Sequence, residues 1–391
     1  MKKPSVHFSS LFLRQKLQMK SPRMKRSFLT DHPCECTGFT NKTRKYCEPV
    51  TFLSNAELKR CLVKWDQMFK SNENYYVRVK MAYIQASKNS FSKKSTAEQV
   101  TEGVDLSGKT VLVTGVASGL GKEAMRVLAM RGAHVLGLDR TMEAAQSACS
   151  DVTGTTTPFE CDLADPQSII ACAEKIKGQF QSLDVILTNA GIMTPPYKVV
   201  DKYKEPLEIQ FAVNFLGHFV LINRLMSLLE AAPAGRLALV ASEGYATAPR
   251  KTGIAFEDLS FSKGYDALTA YGHSKIAVML LSQEFSRRLE GTNITSNSIH
   301  PGVIRTNLAS DTESFKVKLI SMFAGPFTRT IPQGTATHCF VASHPSLEGV
   351  SGQHFADSNP KEPKDHPLVK DVELAGKLWD KATELADGYL I

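Results

Sequence analysis

From about residue 106 onward, short apolar runs alternate with stretches whose apolar residues recur at helical spacing, and no other feature of this chain constrains its fold as tightly. Strands are expected at 110–114, 134–138, 156–160, 183–188, 236–241, 294–299 and near 353–355. Helices are expected between them at 119–131, 166–178, 207–230 and 269–289, with 332–343 following the sixth strand. Such alternation specifies a parallel sheet, because neighbouring parallel strands need a long crossover, and that crossover is right-handed. The expected architecture is α/β: a doubly wound parallel sheet of about seven strands with helices on both faces. Sheets of this kind bind ligands outside the carboxyl ends of their strands, where the strand order reverses.

The α/β pattern assigns residues 105–391 to one domain and leaves an N-terminal extension. The net charge of +8 belongs to that extension, since residues 1–100 hold 20 Lys and Arg against 7 Asp and Glu, and the remainder is net acidic. The basic balance therefore says little about the ligand of the main domain, and with no recognisable module beside the cluster, nucleic acid is not an expected partner. Residues 1–53 read as a basic segment that is either disordered or a targeting sequence. The first thirty residues carry eight Lys and Arg and no acid, the composition of a mitochondrial transit peptide and equally of a solvated basic tail. A cytoplasmic location is the default and a mitochondrial one the alternative. Residues 54–104 read as a helical extension and linker. Ser54 and Glu57 make a capping-box pattern, Leu58, Cys61, Leu62, Trp65 and Phe69 follow at helical spacing, and serines dominate 86–104. No run approaches the ~18–20 apolar residues of a transmembrane helix. His32, Cys34, Cys36 and Cys47 are zinc donors in a non-standard spacing, so no metal site is expected. Cys149, Cys161, Cys172 and Cys339 are scattered through the main domain and are expected to be reduced.

The first strand runs into Thr114-Gly115-Val116-Ala117-Ser118-Gly119-Leu120-Gly121, where a helix begins. Glycines there tighten the turn, let backbone N–H groups approach a pyrophosphate and let the helix pack closely on the strand, while the helix N-terminus attracts phosphate. With strand, turn and helix in sequence, the loop marks a Rossmann-type dinucleotide site. The second strand ends in Asp139, a carboxylate placed to accept from the adenosine ribose hydroxyls and to repel a 2′-phosphate, which favours NAD. Arg140 follows and would suit NADP, and a plain helix N-cap is a third use for Asp139.

Tyr271 and Lys275 stand four apart on a predicted helix and so share a face. An unperturbed phenol, with a pKa of about 10, is a poor base near neutrality, and a fixed cation beside it favours the ionised form. Hydride exchange with a nicotinamide needs a matching proton transfer at the alcohol or carbonyl oxygen, which this pair supplies. Ser242 ends the fifth strand, where a hydroxyl can bind the substrate oxygen. Asn214 is a buried amide in a helix and needs partners, such as a backbone carbonyl and a water leading to Lys275. Asn189-Ala190-Gly191 closes the fourth strand with residues small enough for a cofactor to approach, and Pro301-Gly302-Val303 with Thr306 follows the sixth.

With its glycine loop, Asn-Ala-Gly triplet, helix Asn, Ser, Tyr-x-x-x-Lys and Pro-Gly-x-x-x-Thr in this order, the chain from about residue 106 to its end resembles the short-chain dehydrogenase/reductase family. Ala270–Lys275, Phe256–Leu259 and Pro326-Phe327 ahead of Gln333-Gly334 are most similar to the branch of retinol dehydrogenases and WW-domain-containing oxidoreductases. The resemblance implies an NAD(P)-dependent oxidoreductase acting on an alcohol or carbonyl. It implies Tyr271 as acid/base, Ser242 as the group orienting the reacting oxygen, Lys275 on the nicotinamide ribose and Asn214 on a relay water. It also implies Asp162, beside Leu163, at the adenine, and Thr306 with the backbone after Pro301 at the carboxamide. A homodimer or tetramer through helices 207–230 and 269–289 is a further expectation. Asp139-Arg140 replaces the Cys-Arg usual in the retinol branch, and the N-terminal hundred residues have neither that branch's membrane-anchoring helix nor a WW domain. The 29-residue separation of Ser242 and Tyr271 exceeds the family's usual gap and implies an inserted loop at the substrate mouth. Residues 307–331 are apolar and read either as a lid over a lipophilic substrate or as core packing or a dimer contact. A cofactor-bound interaction protein on the same fold is the alternative function.

Overall fold

A computed structural model describes residues 89–304 and 328–390 of the chain. The basic segment, the helical extension up to residue 88, the cysteines before residue 62, Thr306 and most of the expected lid lie outside the described residues.

Strands β1 (Thr110–Thr114), β2 (His134–Asp139) and β4 (Val185–Thr188) form where β-branched and aliphatic residues dominate, and β3 (Thr155–Glu160), an edge strand of threonines, Pro158 and Phe159, buries only Phe159. A two-residue hairpin, β5 (Val199–Val200) with β6 (Leu207–Glu208), stands apart, and β7 (Gly235–Val240), β8 (Ile294–His300), β9 (His354–Ala356) and β10 (Asn359–Pro360) complete the set. The main sheet runs β10-β9-β8-β7-β4-β1-β2-β3, with every pairing parallel except β9–β10. The chain winds outward from β1 to β3 and then returns to the other side of β1 with β4. The carboxyl ends of β1 and β4 therefore flank the crevice where the order reverses.

Helices α1 (Ala97–Val100), α2 (Gly119–Met130), α3 (Met142–Ser150), α4 (Pro166–Gln179), α5 (Ile209–Glu230), α6 (Ala267–Arg288), α7 (Ile331–Ser343) and α8 (Val372–Leu385) flank the sheet. All five expected helices are present. Two longer ones were not expected, α3 and α8. Residues 89–104, read as linker from their serines, are docked on the domain. Thr96 and Gln99 form a capping box, Ala97 and Val100 are buried against α2 and α7, and Asn359 donates to the Phe91 carbonyl at 2.8 Å. The apolar residues between the serines hold this segment down.

Two features place the site. Helix α5 contains a π-helical turn over Ala212–Gly217, and Gly217 lets that turn lie against the Leu163 carbonyl, which any Cβ would overlap. Helix α5 is long and apolar enough by composition to cross a membrane, but 72% of its most apolar window is buried inside the domain, as in a core helix. Helix α8 lies across α5 and α6: the Trp379 ring stands edge-on to Phe219 at 5.0 Å and to Phe285 at 4.9 Å. The helices expected to pair two copies thus share a covering from their own chain.

Gly217→Ala forces a methyl into backbone that cannot swing away, and it should lower the unfolding free energy by roughly 1–3 kcal/mol. Gly178→Ala, on α4 with nothing within 4 Å of the added methyl, should instead gain about 0.5 kcal/mol from helix propensity. Urea unfolding of both variants checks the pair, and equal midpoints would refute the packing account.

Candidate active site

The turn after β1 is built against the turn after β4. Gly115 and Gly119 adopt the left-handed region at φ 73° and 60°. A methyl on Gly115 would stand 2.9 Å from the Ala190 Cα, and one on Gly121 would overlap the Gly115 carbonyl and the Asn189 amide. Asn189 Nδ2 donates to the carbonyls of Thr114 (2.9 Å) and Gly115 (3.2 Å), and Ala190 N–H donates to Thr114 Oγ1 at 2.9 Å. Ser118 stands at the N-cap of α2 without a side-chain capping bond, so its hydroxyl leaves the first-turn N–H groups unsatisfied. Leu120 packs toward α7, where a methyl on Gly334 would lie 3.0 Å from its Cδ2.

At the end of β2, Asp139 Oδ2 accepts from Ala117 N–H at 2.8 Å and Oδ1 from Arg140 N–H at 2.9 Å. It caps no helix, because Thr141 does that for α3. The carboxylate is fixed to the glycine loop, beside the exposed Arg140. After β3, Asp162 Oδ1 accepts from Ala164 N–H at 2.9 Å, and Leu163 is buried under α5. These positions fit a dinucleotide: a left-handed glycine cradle that Cβ atoms would fill, an unsatisfied helix N-terminus and a fixed carboxylate at the adjoining strand end. After β8, Gly302 has φ 90°, the Arg329 guanidinium donates to the Pro301 carbonyl at 3.2 Å, and Val303 is exposed.

The polar residues of α5 and α6 meet beyond β4 and β7. Asn214 lies inside the π-helical turn. Its Oδ1 accepts from Ile192 N–H at 2.8 Å, while its Nδ2 donates to the Ile192 carbonyl at 3.0 Å and to Ser274 Oγ at 2.9 Å. The expected backbone carbonyl is there. Ser274, which sequence reading passed over, takes the second donor bond, and its neighbour Lys275 holds the Val240 carbonyl at 3.0 Å. Gly191 sits between, where a methyl would lie 3.2 Å from Asn214 Oδ1 and 3.5 Å from Lys275 Nζ.

Ser242 leaves β7 and accepts from Gly244 N–H at 3.1 Å, so that its hydroxyl and the Tyr271 ring flank Gly244 together. A Cβ on Gly244 would press on the Tyr271 ring at 2.6 Å, so glycine there makes room for the phenol. Lys275 Nζ lies 5.8 Å from the centre of that ring. Burial pushes the Tyr271 phenol above its usual value and the Ser242 hydroxyl opposes this, so without nucleotide the phenol is neutral at pH 7. Burial also lowers Lys275 to about 8. No carboxylate among the described residues pairs with it. His218 and His300, also unassigned from sequence, border the same region. His300 Nδ1 accepts from Glu243 N–H at 3.1 Å.

The Lys275 charge has a consequence for stability. Its pKa falls from 10.5 in the unfolded chain to about 8 in the fold, so between those values the unfolded chain binds more protons. Stability should therefore rise with pH across that window. Below pH 8 the buried ammonium costs the fold roughly 3 kcal/mol at most. Lys275→Met should thus be the more stable protein at pH 7 and lose its advantage near pH 10.5. Denaturant titrations at both pH values decide this, and a pH-independent difference would sink it.

The family model for short chain dehydrogenases matches residues 109–255 and 260–316. The chain is 37% identical over 316 residues to short-chain dehydrogenase TIC 32 B, chloroplastic, of Brassica napus, covering 77% of this chain and 96% of that protein. It is 36% identical to retinol dehydrogenase 14 of Homo sapiens over 293 residues, which is 70% of this chain and 84% of that one. Among solved structures, a protein from Mycobacterium Paratuberculosis superposes with a TM-score of 0.58 at 27% identity, covering 73% of this chain and 96% of that chain. The chain belongs to the short-chain dehydrogenase family, oxidoreductases that act on CH–OH groups.

Proposed function

We propose that this protein interconverts a lipophilic alcohol and its ketone or aldehyde, using NAD in preference to NADP, with Tyr271 exchanging the proton at the substrate oxygen. The observation that carries this reading is the grouping of the buried Tyr271 phenol and the buried Lys275 ammonium beside its ring with the half-buried Ser242, across Gly244. Bound across the glycine loop, Asp139, Asp162-Leu163, Asn189-Ala190-Gly191 and Pro301-Gly302-Val303, with Thr306 carried over from the resemblance, the nicotinamide nucleotide supplies or takes up the hydride.

The chain's own residues manage the proton. A neutral phenol at pH 7 is the form that can donate to a carbonyl oxygen during reduction. In the reverse direction the phenolate must accept, and the Lys275 ammonium, charged below about pH 8, stabilises it at close range in a dry setting. Ser242 holds the substrate oxygen against the phenol, and burial excludes the water that would otherwise compete for the proton. Asn214 fixes the Ile192 backbone and, through Ser274, the register of α6 on which Tyr271 and Lys275 ride.

Asp139 supports NAD: its carboxylate is fixed at the glycine loop, where it suits two ribose hydroxyls and opposes a 2′-phosphate. Two observations support a lipophilic substrate. Tyr197 and Val303 are large apolar side chains left exposed on loops that follow β4 and β8, and several relatives, retinol dehydrogenase 14 among them, are named for a lipophilic alcohol.

Fluorescence titration of NADH and NADPH into wild type and Asp139→Ala tests the cofactor assignment, with NADPH expected to gain only in the variant. Turnover of all-trans-retinal should exceed that of acetone, and Tyr271→Phe should lower kcat by about 10²–10⁴-fold while NADH still binds. Binding of neither nucleotide would overturn the enzyme reading. Equal turnover of acetone would overturn the lipophilic one.

A further inference from the structure

His218 is the first residue of α5 beyond the π-helical turn and is only 2% exposed. Its backbone N–H goes to the Phe215 carbonyl, so its ring rather than its main chain reaches back to Asn214. Nδ1 lies 3.1 Å from the Asn214 carbonyl oxygen, and Nε2 lies 3.0 Å from Thr114 Oγ1. A carbonyl only accepts, so Nδ1 carries the proton. Burial lowers the imidazole to about 4, so the ring is neutral and Nε2 is a bare acceptor. The Thr114 hydroxyl, which already accepts from Ala190 N–H, must therefore donate to Nε2.

The polarity of the chain of bonds is thereby fixed from end to end: Ala190 N–H to Thr114 Oγ1, Thr114 hydroxyl to His218 Nε2, His218 Nδ1–H to the Asn214 carbonyl. It joins the ends of β4 and β1, which form the nucleotide cradle, to the turn that carries Asn214. Asn214 in turn holds Ile192 and Ser274, one residue from Lys275.

We infer that His218 is a positioning residue that locks the glycine-loop cradle and the Asn214–Lys275 end of the site into one unit, so that nucleotide affinity and proton transfer both depend on a ring that touches neither nucleotide nor substrate. The turnover part of this inference rests on the function proposed above; the nucleotide and tautomer parts do not.

Three measurements on the full chain test it. In the nucleotide-free protein, ¹⁵N NMR should find His218 neutral with its proton on Nδ1 from pH 5 to 8; an Nε2–H tautomer, or a ring that titrates in that range, overturns the inference. In a double-mutant cycle read by NADH fluorescence, Thr114→Val and His218→Asn should each weaken binding roughly 10-fold, the weight of a buried hydrogen bond left unpaired, and the double variant should be no weaker than the poorer single. Additive losses, or no loss in either single variant, overturn it. His218→Phe should lower kcat for all-trans-retinal with KM little changed. His218→Asn should recover part of that loss, because an Asn on this helix can reach the carbonyl four residues back, as Asn223 does to Phe219 at 2.7 Å. Equal kcat in the two variants contradicts the role assigned to the Asn214 bond. If wild type fails to turn over retinal, the substrate assignment falls, while the tautomer and the binding cycle still decide on His218.

Discussion

The contact between the turns after β1 and β4 governs the rest of the molecule. Reversal of strand order opens a crevice there, and a crevice between two strand ends would leave backbone groups unsatisfied unless something bridged it. The bridge is made of short side chains. Asn189 satisfies two carbonyls of the glycine turn and Thr114 takes an N–H from the opposite turn, across an approach that tolerates no Cβ on Gly115. The cradle is rigid because its own hydrogen bonds hold it before any nucleotide arrives, which is the arrangement that lowers the ordering cost of binding.

Lys275 imposes the second constraint. A buried ammonium without a carboxylate is expensive, and a structural role would be served better by an aliphatic side chain. The surroundings keep the charge uncompensated. His218, His300 and His338 feel the Lys275 field and are held neutral by burial, with pKa values of about 4, 3 and 4. A carboxylate among these neighbours would lower the cost of the buried ammonium and hold its pKa nearer the usual lysine value. Neutral imidazoles leave the ammonium uncompensated, and those of His218 and His300 still serve as hydrogen-bond partners. The instability concentrated at Lys275 is of the kind that functional sites carry at the expense of the fold.

Much of this was legible in the sequence because periodicity and motif agree along β1–α2, β4, β7 and α6. The seven parallel strands and the helices carrying Asn214, Tyr271 and Lys275 fall where apolar spacing puts them. Helix α3 escaped because its buried face is Ala145, Ala148 and Cys149, residues too small to register as an apolar stripe. Helix α8 carries a true stripe, Ala375, Leu378, Ala382 and Leu385, beyond the last expected strand, where the alternating pattern no longer points to it. The antiparallel β10 is a two-residue edge set by the turn at Asp357 and Ser358, both at φ 56°, a conformation neither residue advertises. Within the site, a four-residue spacing relates Tyr271 to Lys275, and the same spacing from Asn214 points to His218. What spacing could not reveal is the π-helical turn, which depends on how α5 meets Leu163 in space. Nor does it reveal that burial raises the free protein's Tyr271 phenol above its usual value.

The long interval between Ser242 and Tyr271 is held by the same kind of bond. Its last residues are bound to the loop after β4 rather than left free: the Tyr265 hydroxyl donates to the Pro195 carbonyl at 2.8 Å, and Gln210 accepts from Thr194 N–H at 2.8 Å while its amide donates toward Tyr265 and the Ala267 carbonyl. Gln210 is itself seated on Glu208, a fully buried carboxylate whose pKa is raised by burial and opposed by bonds from Gln210 and Phe211. Thr194 is held at φ 49°, a strained conformation for a β-branched residue, and two-sided tethering is what sustains such strain. The segment between Ser242 and Tyr271 is therefore tied to the β4 loop, with the Tyr197 and Tyr265 rings 5.1 Å apart. Buried polar bonds of this kind fix two segments against each other through groups that lie apart from Tyr271 and Lys275, so the placement of the loop after β4 depends on side chains such as Gln210 and Glu208.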